Sequence, residues 1–185
     1  MLHAKTRPNW IAQTVIRSNT PDVPSKFPGA GSVRICTATH LILHSGSGAP
    51  VHFTYLNTHL DDQSDDQRRL GASMILARAR YEAWKSGGPV IVTGDFNSPA
   101  TGTDSGAYQI ITGQLAPVAI NQTFAEKYAV PKSILSNFTM SDLKGDAPRS
   151  SVSGNFATYT GFNAPGDASV YTRIDFVLGG SNGKW

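Results

Sequence analysis

A single cysteine, Cys36, in 185 residues excludes an internal disulfide framework. Its neighbours mark it as a small buried hydrophobe on a strand. No apolar run approaches the roughly 20 residues of a membrane span. Met1-Leu2-His3-Ala4-Lys5 leads into polar sequence rather than an apolar leader. The compartment stays open, secretion included should a native N-terminus lie upstream. Glutamate is scarce, Glu82 and Glu126 being the whole supply, and all 5 histidines precede position 60. One cysteine and scattered histidines give none of the tetrahedral zinc spacings. Without a Gly-x-Ser-x-Gly turn a serine nucleophile has no support either.

What is present suits a soluble globular domain: 39% hydrophobic and 16% charged residues, with a net charge of +3. That charge is too small to mark a dedicated nucleic-acid binder, whose affinity rests on many phosphate contacts. Asn121-Gln122-Thr123 and Asn137-Phe138-Thr139 fit the glycosylation sequon, a weak hint of secretion in so Ser/Thr/Asn-rich a chain. Residues 1–32 read as irregular, punctuated by Pro8, Pro21, Pro24, Pro28 and Gly29-Ala30-Gly31. Lys26 and Arg34 flank those glycines; a surface loop with solvated charges explains them better than a phosphate-facing loop. Residues 33–185 read as one domain. No repeat or internal boundary breaks it, and nothing marks an obligate protein partner, so a monomer is expected.

Within that domain Ser32 to Leu43 alternates with both faces apolar, predicting a strand covered on both sides. His44 to Pro50 reads as a hairpin connection. Val51 to Leu60 is a second strand, whose row Val51, Phe53, Tyr55, Asn57, His59 turns from apolar to polar at its end. Ser64-Asp65-Asp66-Gln67 is a capping box opening a helix that runs to about Lys85. Leu70, Met74, Ala77, Tyr81 and Trp84 form its expected core stripe, with Arg68, Arg69, Arg78, Arg80 and Lys85 solvated around it. Gly87-Gly88-Pro89 ends the helix. Short helices are expected around Ala107 to Ile111 and Phe124 to Tyr128, a surface loop over 141–156, and strands at Thr158 to Phe162 and Val170 to Leu178.

The run Pro89-Val90-Ile91-Val92 delivers Thr93-Gly94-Asp95-Phe96-Asn97-Ser98. In an extended strand, residues two apart share a side, so Asp95 and Asn97 should face one way and Phe96 the core. Gly94 permits a close approach by backbone or ligand. The plainer alternative is a strand ending in an Asx turn. His59, Asp95, Asn97 and Asp175 each occupy the polar end of an apolar strand. Such a set can polarise a phosphate or acyl group and position a water. Aspartate is a hard oxygen ligand suited to Mg²⁺ or Mn²⁺.

Asn57-Thr58-His59-Leu60, Gly94-Asp95-Phe96-Asn97-Ser98 and Arg173-Ile174-Asp175-Phe176, in that order, resemble the endonuclease/exonuclease/phosphatase superfamily over residues 33–180. The resemblance implies an α/β fold: a four-layer sandwich of two mixed sheets packed face to face with helices outside. It also implies Mg²⁺-dependent hydrolysis of a phosphate ester by in-line attack of water. The candidate substrates are nucleic acids, inositol phosphates and phospholipid headgroups. By that analogy Asp95 orients or activates the water and is the metal-side carboxylate, and Asn97 binds the scissile phosphate. His59 contacts a phosphate oxygen and stabilises charge, and Asp175 orients a histidine near the C-terminus.

The departures are specific. The family's early metal-binding Glu has no counterpart, since Glu82 and Glu126 follow the first strand pair. Its terminal Ser-Asp-His is missing too, Ser141-Asp142 being followed by Leu143. The chain is therefore expected to match the middle and late-middle of such a domain without its ends, and weak or no turnover is expected of it as given. The competing expectation is a non-catalytic module that keeps the fold and binds a phosphate ligand.

Overall fold

The computed structural model describes residues 13–17, 29–44, 48–154, 156–164 and 166–183, the first of these as backbone alone. They form a mixed α/β arrangement around one six-stranded sheet. Its strands are β1 (Gln13–Arg17), β2 (Ile35–Leu43), β3 (Val51–His59), β4 (Val90–Asp95), β5 (Met140–Asp142) and β6 (Asp175–Gly180), in the order β1-β2-β3-β4-β6-β5. Neighbours run antiparallel except β3 and β4, which pair in parallel. That parallel pair needs a crossover, and helix α1 (Asp65–Ser86) supplies it. Ser64 accepts from the Gln67 N–H at the helix start, and Gly87 closes it at φ 64°, its N–H donating to the Ala83 carbonyl.

Helix α1 lies on one sheet face, and α2 (Gly106–Ile111) packs against α1 while its Tyr108 reaches Phe176 of β6. The core sits between sheet and helices: Cys36, Ala38, Leu56, Val90, Val92, Phe96, Phe176 and Leu178 meet Ala72, Ile75, Ala79 and Ala83. Burial pushes the Cys36 thiol up to about 12, which makes it inert. α3 (Gln122–Lys127), α4 (Leu143–Asp146) and a 3₁₀ turn at Arg149–Ser151 complete the described elements.

Several sequence expectations change. The segment 1–32, read as irregular, contributes β1 on the sheet edge, while Lys26 lies outside the described residues. The sheet is covered mainly on one face: Cys36 and Ala38 of β2 are buried, but Ile35 (46%) and Leu43 (47%) of β2, Val51 (42%) of β3 and Val177 (50%) of β6 stand exposed on the other. The second sheet implied by the resemblance is not among the described residues. Helix α1 is buried more widely than its apolar stripe predicts. Arg68 and Arg78 are buried, and Trp84 is exposed. Tertiary partners on several sides of α1 take up its arginines. Arg68 bonds the Asp61 carbonyl and the Asp104 carboxylate, and Arg78 pairs with Glu82. The expected loop at 141–156 contains β5 and α4. Thr158 to Phe162 makes only an isolated bridge, Tyr159 to Thr172.

Candidate active site

Sheet register gathers three of the four candidate side chains. His59 ends β3 directly beside Asp95 at the end of β4, and Asp95 pairs across β6 with Asp175. Directly paired residues share a face, so the three form one row along a single rim. His59 Nε2 lies 3.6 Å from Asp95 Oδ2. The two parallel strands reach this register because Gly94 allows it: at φ 145°, a Cβ there would stand 1.9 Å from the Thr58 carbonyl oxygen. The close approach expected at this glycine is thus to backbone.

Asn97 joins the rim by a different route from the one read in the sequence. β4 ends at Asp95, and Asn97 adopts φ 47°, so strand alternation does not carry it there. Instead the Asn97 N–H donates to Asp95 Oδ1 at 2.8 Å, the Asx turn of the plainer alternative. Its side-chain Nδ2 donates to the Leu60 carbonyl at 3.0 Å. One amide hydrogen is left for a ligand. The turn-cap alternative describes Asn97, and that turn rather than strand alternation leaves it beside Asp95. Phe96 between them is fully buried, as expected.

Electrostatics separates the acids. Burial holds the Asp95 carboxyl above the ordinary carboxylate range and the neighbouring Asp175 charge adds to this, opposed by the Asn97 N–H, His59 and Arg34. A carboxylate so raised is a better proton acceptor. One row further in, Tyr55 Oη lies 2.6 Å from Thr93 Oγ1, and Asn57 Nδ2 donates to the same oxygen at 2.8 Å. The polar end of the sheet face is therefore two rows deep.

Asp61, two residues past His59, was not singled out in the sequence. It is 1% exposed and accepts the N–H groups of Gly31, Ser32, Gln63 and Ser64, with Arg34 Nε 3.7 Å away. Burial raises its carboxyl, but these four N–H groups outweigh that and hold it below the ordinary range. Asp61 ties the glycine-containing 29–32 segment and the α1 entrance to the end of β3. The only sequence signal was a second acid directly after His59-Leu60.

The chemistry of the acids suits a hard divalent cation, which Mg²⁺-type sites hold through one or two carboxylates together with substrate phosphate. Yet among the described residues no group of three or more His, Cys, Asp or Glu side chains could hold a metal. Sheet register brings the backbones of Asp95 and Asp175 side by side, and no third such side chain joins them among the described residues.

Comparison with solved structures gives matches across nearly the whole chain. An endonuclease/exonuclease/phosphatase from Bacteroides vulgatus is 25% identical with a TM-score of 0.65, over 93% of this chain and 54% of that one. A mannosyl-6-phosphatase from Bacteroides thetaiotaomicron is 19% identical with a TM-score of 0.59, over 94% and 53%. A 2′,3′-cyclic phosphatase is 15% identical with a TM-score of 0.53, over 94% and 55%. The chain spans about half the length of these structures. No family model and no curated protein matches the sequence.

Proposed function

For a chain that carries the endonuclease/exonuclease/phosphatase fold, we propose hydrolysis of a phosphate ester at the rim formed by His59, Asp95, Asn97 and Asp175. The observation that carries this is the row His59–Asp95–Asp175, three residues distant in sequence brought side by side at strand ends. Asp95 takes the proton from a water as its oxygen bonds to phosphorus. The bond from phosphorus to the ester oxygen breaks in line, and the leaving oxygen is protonated from solvent. The second amide hydrogen of Asn97 and the His59 imidazole grip the non-bridging oxygens. Asp175 pairs with Asp95 across the β4–β6 ladder, and its charge adds to the burial that keeps Asp95 basic. Mg²⁺ or Mn²⁺ bound at Asp95 would neutralise phosphate charge; the described residues do not complete its coordination.

The structural neighbours include a mannosyl-6-phosphatase and a 2′,3′-cyclic phosphatase, so the test spans phosphomonoesters and phosphodiesters. The purified chain with Mg²⁺ should be offered mannose 6-phosphate, a 2′,3′-cyclic nucleotide, an inositol phosphate, sphingomyelin and single-stranded DNA. Slow release from at least one, abolished by Asp95→Ala, is the expected result. Equal turnover by Asp95→Ala would contradict the assignment.

A second reading, a phosphate-binding module without turnover, is favoured by the lack of a third metal ligand among the described residues. Calorimetric titration with phosphate and Mg²⁺ separates the two, since a module binds without converting any substrate of the panel.

A further inference from the structure

Arg173 sits two residues before Asp175, and the rim chemistry does not use it. Its guanidinium grips Asp142, the last residue of β5, through both terminal nitrogens, Nη1 at 2.9 Å from Oδ1 and Nη2 on Oδ2. Asp142 is 3% exposed and also accepts the Tyr108 hydroxyl at 3.1 Å and the Gly145 N–H at 3.1 Å. The guanidinium carbon lies 4.6 Å from the centre of the Phe176 ring. Phe176 in turn meets Phe96 edge-on at 5.6 Å and Tyr108 at 4.9 Å. Phe96 is the residue between Asp95 and Asn97.

The backbone around Asp175 is held as well. The Phe96 N–H donates to the Ile174 carbonyl at 2.8 Å, and Thr158 Oγ1 accepts the N–H groups of both Ile174 and Asp175 at 3.1 Å. The start of β6 is thus fixed by side chains before the sheet ladder takes over.

We propose that the Arg173–Asp142 pair is a positioning clamp that sets the start of β6, and with it the placement of Asp175 against Asp95. A buried ion pair is a poor device for stability, because apolar residues of equal volume do as well. What a bidentate guanidinium–carboxylate pair gives instead is a fixed distance and a fixed plane. The pair sits where one strand start must be placed within hydrogen-bonding tolerance of another. Arg173 does not touch substrate; it acts through Asp175. The consequence for catalysis rests on the hydrolytic reading of the rim, whereas the clamp itself rests only on the contacts above.

The test is residue-resolved amide exchange by NMR on the full 185-residue chain. The variants are Arg173→Met, Arg173→Lys and Asp142→Asn, with Ile75→Ala in the α1 core as a control that lowers stability elsewhere. The clamp predicts that the Phe96 and Asp175 amides exchange about tenfold faster in the clamp variants, relative to those of Leu56 and Val92. It also predicts no rescue by Arg173→Lys, whose ammonium cannot make the planar double contact. Should Arg173→Met fail to fold, Asp142→Asn, which keeps the shape and the Tyr108 contact, carries the test. A uniform rise across the sheet, matching that of Ile75→Ala, would overturn the proposal. Inorganic phosphate titrated into the same samples separates the two claims. No phosphate shift at the rim of the unmodified chain counts against the hydrolytic site, while the local exchange pattern still decides the clamp.

Discussion

His59 Nε2 stands 3.6 Å from Asp95 Oδ2 across the parallel β3–β4 pair, and Asp95 directly opposes Asp175 on β6. This places an imidazole on one side of the central acid and a like charge on the other. A carboxyl held above its ordinary range by burial and by that like charge destabilises the fold when ionised. The sign follows from linkage: its contribution is fully favourable below the unfolded value of 3.8 and is lost as pH rises through the folded value. Asp95→Asn should therefore raise stability at pH 7 by about 0.5–2 kcal/mol while lowering turnover at least about a hundredfold. Thermal melts in EDTA at pH 7 and pH 3.5 check it, the gain being expected only at the higher pH.

Asn97 combines a left-handed backbone with a side-chain bond to the Leu60 carbonyl. Asn97→Gly relieves the backbone and loses the amide; Asn97→Ala loses the amide and keeps the strain. We expect Asn97→Ala to cost about 1–2 kcal/mol more than Asn97→Gly. Both should weaken phosphate binding equally. Urea melts and phosphate titrations of the pair measure the two effects separately.

Asp61 makes the opposite pH prediction from Asp95. Its carboxyl is held low in the folded chain, so its stabilisation is present above the unfolded value of 3.8 and disappears as pH falls through the folded value. In Asp61→Asn the new NH₂ group must face N–H donors, whichever way the amide is turned. The expected cost at pH 7 is about 3 kcal/mol. The variant should also show a flatter loss of stability between pH 5 and about pH 2. Denaturant melts across that range test it.

Glu82 is buried between Arg78 and His40, whose Nε2 lies 2.7 Å from Glu82 Oε2. Glu82→Gln leaves a buried guanidinium without its counter-charge and should cost about 3–5 kcal/mol. Arg78 also lies 4.4 Å from the Tyr128 ring centre, so Tyr128→Leu should add about 0.5–2 kcal/mol of destabilisation. Chemical denaturation of both variants measures these costs.

The legible parts of this chain were those set by local periodicity. β3, β4 and α1 with both caps follow from alternation, a capping box and a terminal glycine. The rim residues could be named because strand ends expose their side chains, and their pairing then followed from register. What escaped depended on tertiary context. Arg68 and Arg78 look solvated on a helical wheel, but Asp61 and Asp104 hold the first and Glu82 and the Tyr128 ring the second. Asn97 looked like a strand residue, but the turn it makes with Asp95 places it. The three-residue strand β5 carries too short a pattern to be seen, yet its last residue anchors Arg173.

The most direct test of the central claim is a ¹H–¹⁵N NMR titration of the chain with inorganic phosphate in the presence of Mg²⁺. A phosphate-gripping rim predicts saturable shifts at His59, Asp95, Asn97 and Asp175, lost in Asn97→Ala and His59→Ala. Saturable shifts clustered elsewhere on the chain, or binding unchanged in both variants, would contradict it.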